Sequence, residues 1–164
     1  MKENSLIKEK ALHPEQSAKA QRENKPLTAT GGEQCEGQLD ERICTALRAA
    51  SDKKALDMVV LDLREIASFT DYFVITSGTN VRQVQAIADE VVEQLKKQGT
   101  RAARVEGYST AEWVLADYGD FIVHVFEDKS RRFYDLERLW RDALRVELPA
   151  ELMGGDAGSL RSES

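Results

Sequence analysis

AEWVLADYGDFIVHVFEDKSRRFYDLERLW, from Ala111 to Trp140, reads as a strand, a tight turn, a second strand, a loop and a helix. The strands are Trp113 to Asp117 and Phe121 to Glu127. The helix is expected over Tyr134 to Leu144, with Leu136, Leu139, Trp140, Ala143 and Leu144 on its buried side. Both tryptophans of the chain lie in this stretch, and His124 sits inside an otherwise apolar strand.

With Tyr118-Gly119 as a two-residue turn, Asp117 faces Asp120, Leu115 faces Ile122 and Trp113 faces His124 on one side of the hairpin. Val114, Ala116, Phe121 and Val123 then form a plain apolar core on the other side. The first side mixes an indole, an imidazole and two carboxylates. Two readings stand for Asp117 and Asp120: turn residues pointing into water, or carboxylates awaiting a cation on another macromolecule. Trp113 is either core or an interface anchor. His124 reads as a structural residue whose ring needs a hydrogen bond. Ser130-Arg131-Arg132-Phe133-Tyr134 reads either as a solvated turn with Phe133 buried or as a hydrogen-bonding platform beside the hairpin.

Working outward, Tyr72 to Thr76 and Asp57 to Leu63 are short β-branched runs. The gap between them suits an antiparallel return better than a crossover. Val81 to Gln98 is a helix with Val84, Ile87, Val91 and Leu95 on one stripe, Asn80 in front as cap and Gly99 behind. Arg101 to Tyr108 is a further strand, and the Ser109 to Glu112 spacing allows one helical turn before Trp113. Leu39 to Ser51 is the first helix, with Asp40, Glu41, Arg42 and Arg48 on its solvated side. The sum is an α/β fold, a mixed five-stranded sheet flanked by helices, over residues 39–148. Residues 1–38 read as a disordered extension and 149–164 as a flexible tail.

A net charge of -6 argues against a broad basic face for nucleic acid. Cys35 and Cys44 are the only cysteines and read as reduced thiols; neither they nor His13 and His124 have metal-ligand spacing. No run is long enough for a membrane helix, and the N-terminal segment lacks an apolar leader, so a cytoplasmic location is expected.

The run from Trp113 to Phe126, the run RRFYDLERLW from Arg131 to Trp140 and the run TDYFVITSGT from Thr70 to Thr79 together resemble the Iojap/RsfS family of ribosomal silencing factors. The likeness covers Leu39 to Leu148. It implies a fold related to the nucleotidyltransferases but without a catalytic site, no cofactor and no metal. It also implies binding to ribosomal protein L-fourteen (uL-fourteen) on the joining face of the large ribosomal subunit. Small-subunit docking would thereby be obstructed and translation damped when nutrients are short, with the free protein a homodimer. By position, the contact surface falls on Trp113, Asp117, Tyr118, Asp120, Arg132, Tyr134 and Glu137. Gly119, His124, Leu139 and Trp140 are expected to hold the shape.

The competing reading is an enzyme acting on nucleotides. Ser77-Gly78-Thr79 before a helix could cradle a phosphate, but no D-x-D follows it and Asp89-Glu90 lies inside the helix.

Overall fold

The computed structural model describes Cys35 and residues 39–152. The remainder of the expected N-terminal extension and residues 153–164 of the expected tail lie outside the described residues.

Helix α1 (Glu41–Asp52) starts where the Asp40 carboxylate accepts from the Arg42 amide at 2.8 Å, and Ile43, Cys44, Leu47 and Ala50 form its buried stripe. Strand β1 (Leu56–Asp62) runs antiparallel to β2 (Tyr72–Gly78), as the short connection requires. Helix α2 (Val81–Lys97) is capped by Asn80, whose side chain accepts from the Gln83 amide, and Gly99 follows with φ 89°. The chain then makes β3 (Arg104–Glu106), β4 (Trp113–Asp117) and β5 (Phe121–Glu127).

With a two-residue strand β6 at Leu144–Arg145, the sheet order is β3-β4-β5-β2-β1-β6, with β2 and β5 parallel and the other pairs antiparallel. The sixth strand, β6 (Leu144–Arg145), raises the expected count of five. Its first residue, Leu144, was expected at the end of the last helix. That helix is not continuous. Helix α3 (Asp128–Tyr134) stops at Asp135, which is left-handed (φ 48°, ψ 53°), and a short α4 (Leu136–Leu139) restarts beyond it. The left-handed residue breaks the helical ladder, so apolar spacing alone overestimated the helix.

Each face of the sheet has its own core. α1 and α2 cover Val60, Val74, Val114, Ala116, Phe121, Val123 and Val125. The α3–α4 elbow covers Leu61, Phe73, Ile75, Trp113, Leu115, Ile122 and Phe126, with Leu136 pressed into them. Full burial of side chains of this size contributes roughly 1.5–3 kcal/mol each.

Three local expectations need correction. The hairpin turns about Gly119-Asp120 rather than Tyr118-Gly119, so Asp117 pairs with Ile122, Leu115 with His124 and Trp113 with Phe126. The Asp120 amide donates to the Tyr118 carbonyl at 3.0 Å across Gly119, which has φ 87°. Partners slip by two, so every side chain keeps its expected face. Before β4 a single turn forms, closed by the Ala111 amide donating to the Gly107 carbonyl at 2.8 Å, but it begins at Gly107 rather than on a Ser109 cap, and a Cβ on Gly107 (φ 81°) would collide with the Trp113 carbonyl oxygen. Finally, Cys35 and Cys44 are joined in a disulfide, not reduced. The two half-cystines are nine residues apart and both lie in the helical core.

Candidate functional site

The tip of the β4–β5 hairpin is fixed from three directions. The Thr70 hydroxyl donates to the Gly119 carbonyl at 2.9 Å, and the Asp71 amide donates to the Asp120 carbonyl at 2.9 Å. Arg42, from the first turn of α1, donates to Asp120 at 2.8 Å and to Asp40 at 2.7 Å, with its guanidinium over the Phe121 ring. Burial works against the Arg42 charge, but the bonds to Asp40 and Asp120 outweigh it and hold the guanidinium protonated. Asp117 accepts from the Gly119 amide at 2.8 Å and from Arg104 at 3.3 Å. The two carboxylates therefore do not face each other, and neither waits for an outside cation. Each has an arginine of its own chain, which removes the repulsion expected of a cross-strand pair.

A second charged node lies under the α3–α4 elbow. Arg131 is buried and makes a two-pronged contact with Glu137, Nε to Oε1 and Nη2 to Oε2, both at 3.1 Å. Its Nη1 reaches the Ser77 hydroxyl at 3.1 Å and the Leu56 carbonyl at 3.4 Å. Glu137 also pairs with Arg145 at 3.3 Å. One guanidinium thus ties α3, α4, the end of β2 and the start of β1 together.

Between the nodes lies an aromatic cluster. The Trp113 indole N–H donates to His124 Nδ1 at 3.0 Å. Tyr134 stacks at a tilt on Trp113, with ring centroids 4.9 Å apart, and Trp140 meets Phe73 edge-on at 5.7 Å. Burial alone pushes the His124 pKa down to about 3 and the Tyr118 pKa up to about 12.

The expected contact residues divide under this geometry. Trp113 is 2% exposed, Asp117 8% and Tyr118 9%, so an outward-facing indole anchor is corrected to a core residue satisfied by His124. Arg132 is exposed and pairs with Asp128 at 3.0 Å, Tyr134 is half-buried, and Asp120 and Glu137 show their edges. Of the residues expected to hold the shape, Gly119 occupies its turn, His124 is fully buried and Trp140 packs partly buried. Leu139 does not: it is 46% exposed. Phe133, expected to be buried in one reading, is 64% exposed. The Asp135 reversal turns both outward.

Two arginines central to the network stand outside the expected site. Arg42 was assigned to a solvated helix face and Arg131 to a basic step. Nothing in the local pattern separates them from solvated neighbours, because the contacts that tie them into the fold, Arg42 to Asp120 and Arg131 to Ser77 and Leu56, span long stretches of chain. The Ser77-Gly78-Thr79 loop is occupied from within: the Gln83 side-chain carbonyl accepts from the Thr79 amide at 2.7 Å and packs against Gly78. That draws an amide a phosphate would use into a helix cap.

Fold and site together define a small α/β domain, one face of its sheet closed by long helices and the other by a bent, charged helical elbow. A family model described as "Ribosomal silencing factor during starvation" matches residues 37–162. The chain belongs to that family. It is similar to the ribosomal silencing factor RsfS of Halalkalibacterium halodurans, 45% identical over 108 residues, 66% of this chain and 92% of that protein. The RsfS of Bacillus subtilis is 44% identical over 103 residues, 63% of this chain and 87% of that protein. The chloroplastic Iojap protein of Zea mays is 34% identical over 102 residues, 62% of this chain and 44% of that protein. A crystal structure from Bacillus halodurans superposes with a TM-score of 0.61 at 43% identity, covering 67% of this chain and all of that one. Membership makes the chain a regulator acting on translation through the ribosome. Among the described residues, no helix is long and apolar enough to cross a membrane.

Proposed function

We propose that this chain binds ribosomal protein L-fourteen (uL-fourteen) on the joining face of the large ribosomal subunit and physically excludes the small subunit. Translation is thereby repressed when nutrients are limiting. The action is steric and needs no bond-making step and no cofactor. It takes place in the cytoplasm, and the unbound protein is a homodimer. The observation that carries this reading is the family match across residues 37–162, which takes in both charged nodes and the aromatic cluster.

The contact surface is formed by Arg132, Tyr134 and the partly exposed residues Asp120 and Glu137. Trp113, Asp117 and Tyr118 act from beneath, fixing the hairpin and elbow on which those groups stand. Arg42 and Arg131 support the reading because they pre-order the two carboxylates, so little side-chain entropy is lost on docking. Titration calorimetry of the purified chain against isolated L-fourteen tests it. Saturable one-to-one binding that weakens on Arg132→Glu with Tyr134→Ala is expected; absence of any heat with a folded sample would contradict it.

A further inference from the structure

The disulfide closes a loop that contains two residues of the hairpin network. Cys35 and Cys44 are nine residues apart. Between them lie Asp40, which caps α1, and Arg42, which holds the hairpin tip. The bonds between the disulfide and the tip are continuous. The Cys44 amide donates to the Asp40 carbonyl at 3.1 Å, and the Leu39 amide donates to the Cys35 carbonyl at the same distance. The Asp40 carboxylate accepts from the Arg42 amide at 2.8 Å and from the Arg42 guanidinium at 3.1 Å and 2.7 Å. The Nη2 that meets Asp40 at 2.7 Å also donates to Asp120 at 2.8 Å. A covalent bond at one end of this series therefore bears on a carboxylate at the other. The first turn of a helix is where fraying begins, and here the same turn aims Arg42. The compartment adds a second consideration. A chain that works on ribosomes sits among thiols kept reduced, where a disulfide is as a rule transient and carries a signal.

We infer that Cys35–Cys44 is a reversible thiol–disulfide switch, which sets the order of the hairpin tip through Asp40 and Arg42 and so the strength of docking, the oxidised chain being the tighter binder. Only its effect on docking rests on the ribosome-binding reading. The reductant is a dithiol. One of its thiolates attacks one sulfur of the bond, forms a mixed disulfide and releases the other cysteine as a thiolate, which takes up a proton. The second thiol of the reductant then displaces the bound cysteine and leaves as a disulfide. Two electrons and two protons pass to the Cys35–Cys44 pair, and a disulfide oxidant returns them by the reverse steps. Cys44 is fully buried and Cys35 is 5% exposed, so exchange follows the lifting of Cys35 from the core. In the reduced chain Cys35 and Leu39 lose their covalent tie to α1, and the Asp40 cap loosens with them. Arg42 then lacks the fixed carboxylate that aims it, and Asp120 must be ordered at the moment of docking.

The test compares oxidised wild type, wild type reduced with dithiothreitol, Cys35→Ser with Cys44→Ser, and Arg42→Gln with its disulfide intact. Amide chemical shifts of the isolated chain report the folded state and do not follow overall stability. Affinity for whole large subunits reports docking. Reduction is expected to move the Gly119 and Asp120 amide shifts and to leave Leu136, on the opposite face of the sheet, in place. Reoxidation restores them, and the double serine variant shows the reduced positions throughout. On whole subunits, reduction weakens binding by about fivefold or more. The double serine variant binds at the reduced level, and Arg42→Gln binds weakly in both states. Unmoved Gly119 and Asp120 shifts overturn the inference. Moved shifts with equal binding of the oxidised and reduced chains overturn the switch, and a full redox response in Arg42→Gln overturns the route. A bond that opens only in denaturant is a permanent staple and overturns it too. Moved shifts in a chain that binds subunits in neither state uphold the coupling to the tip and defeat the ribosome-binding reading instead.

Discussion

Trp113 and His124 are joined by a hydrogen bond of 3.0 Å from the indole N–H to Nδ1, between diagonal positions on strands β4 and β5. The donor fixes the imidazole as the neutral tautomer with its proton on Nε2, because Nδ1 must keep its lone pair. Trp113→Phe keeps an aromatic ring beside Tyr134 but leaves Nδ1 buried without a donor. The expected loss of stability is about 1–3 kcal/mol, read as a lower midpoint in urea with unchanged slope. A change below a few tenths would mean the bond contributes nothing.

The same pair sets a pH dependence. His124 has a folded-state pKa near 3, against an ordinary value of 6.5, because it is fully buried among Phe73, Trp113 and Phe126. The folded state excludes a proton that the unfolded state accepts. This contribution to stability is therefore complete above pH 6.5 and declines as pH falls from 6.5 towards 3. The slope approaches about 1.4 kcal/mol per pH unit. Urea unfolding between pH 8 and 5 should show it, and His124→Gln should flatten it. A His124 ring titrating near 6.5 by NMR in the folded protein would contradict the assignment.

Arg131 and Arg132 are adjacent and should behave in opposite ways. Arg131→Lys cannot reproduce the two-pronged contact with Glu137 or span to Ser77 and Leu56, so a loss of roughly 2–4 kcal/mol is expected. Arg132→Ala removes only an exposed pair with Asp128, worth roughly 0.5 kcal/mol or less. Chemical denaturation of the two variants side by side checks the contrast; equal effects would contradict the network.

Reduction of Cys35–Cys44 opens a short loop that ties the chain ahead of α1 to the helical core. Loop-closure entropy for a separation of nine residues gives an expected loss of about 2–3 kcal/mol. Melting with and without dithiothreitol measures it, with Cys35→Ser and Cys44→Ser as the control that should no longer respond. An unchanged melting temperature on reduction would contradict it.

Where neighbours in sequence are neighbours in space, the chain could be read directly. Strands β4 and β5, the antiparallel β1–β2 return and α2 with its Asn80 and Gly99 ends followed from spacing and cap chemistry. The two faces of the hairpin were legible although its turn was misplaced, because a slip of two preserves the pleat. The site was less legible. Asp120 meets an arginine 78 residues away, and Arg131 meets Ser77 54 residues away; no local pattern encodes such distances. The left-handed Asp135 hid inside an apolar spacing that fits one helix, which is why Leu139 was placed inside and Phe133's exposure was missed. The cysteine pair carried no short-spaced motif to separate a disulfide from free thiols.

The central claim is that this protein occupies room the small subunit needs. Separated large and small subunits are mixed with increasing amounts of the pure protein, and the joined fraction is read on a sucrose gradient. The account predicts a dose-dependent loss of joined ribosomes, with the protein migrating on the free large subunit. Complete joining at saturating protein would contradict it.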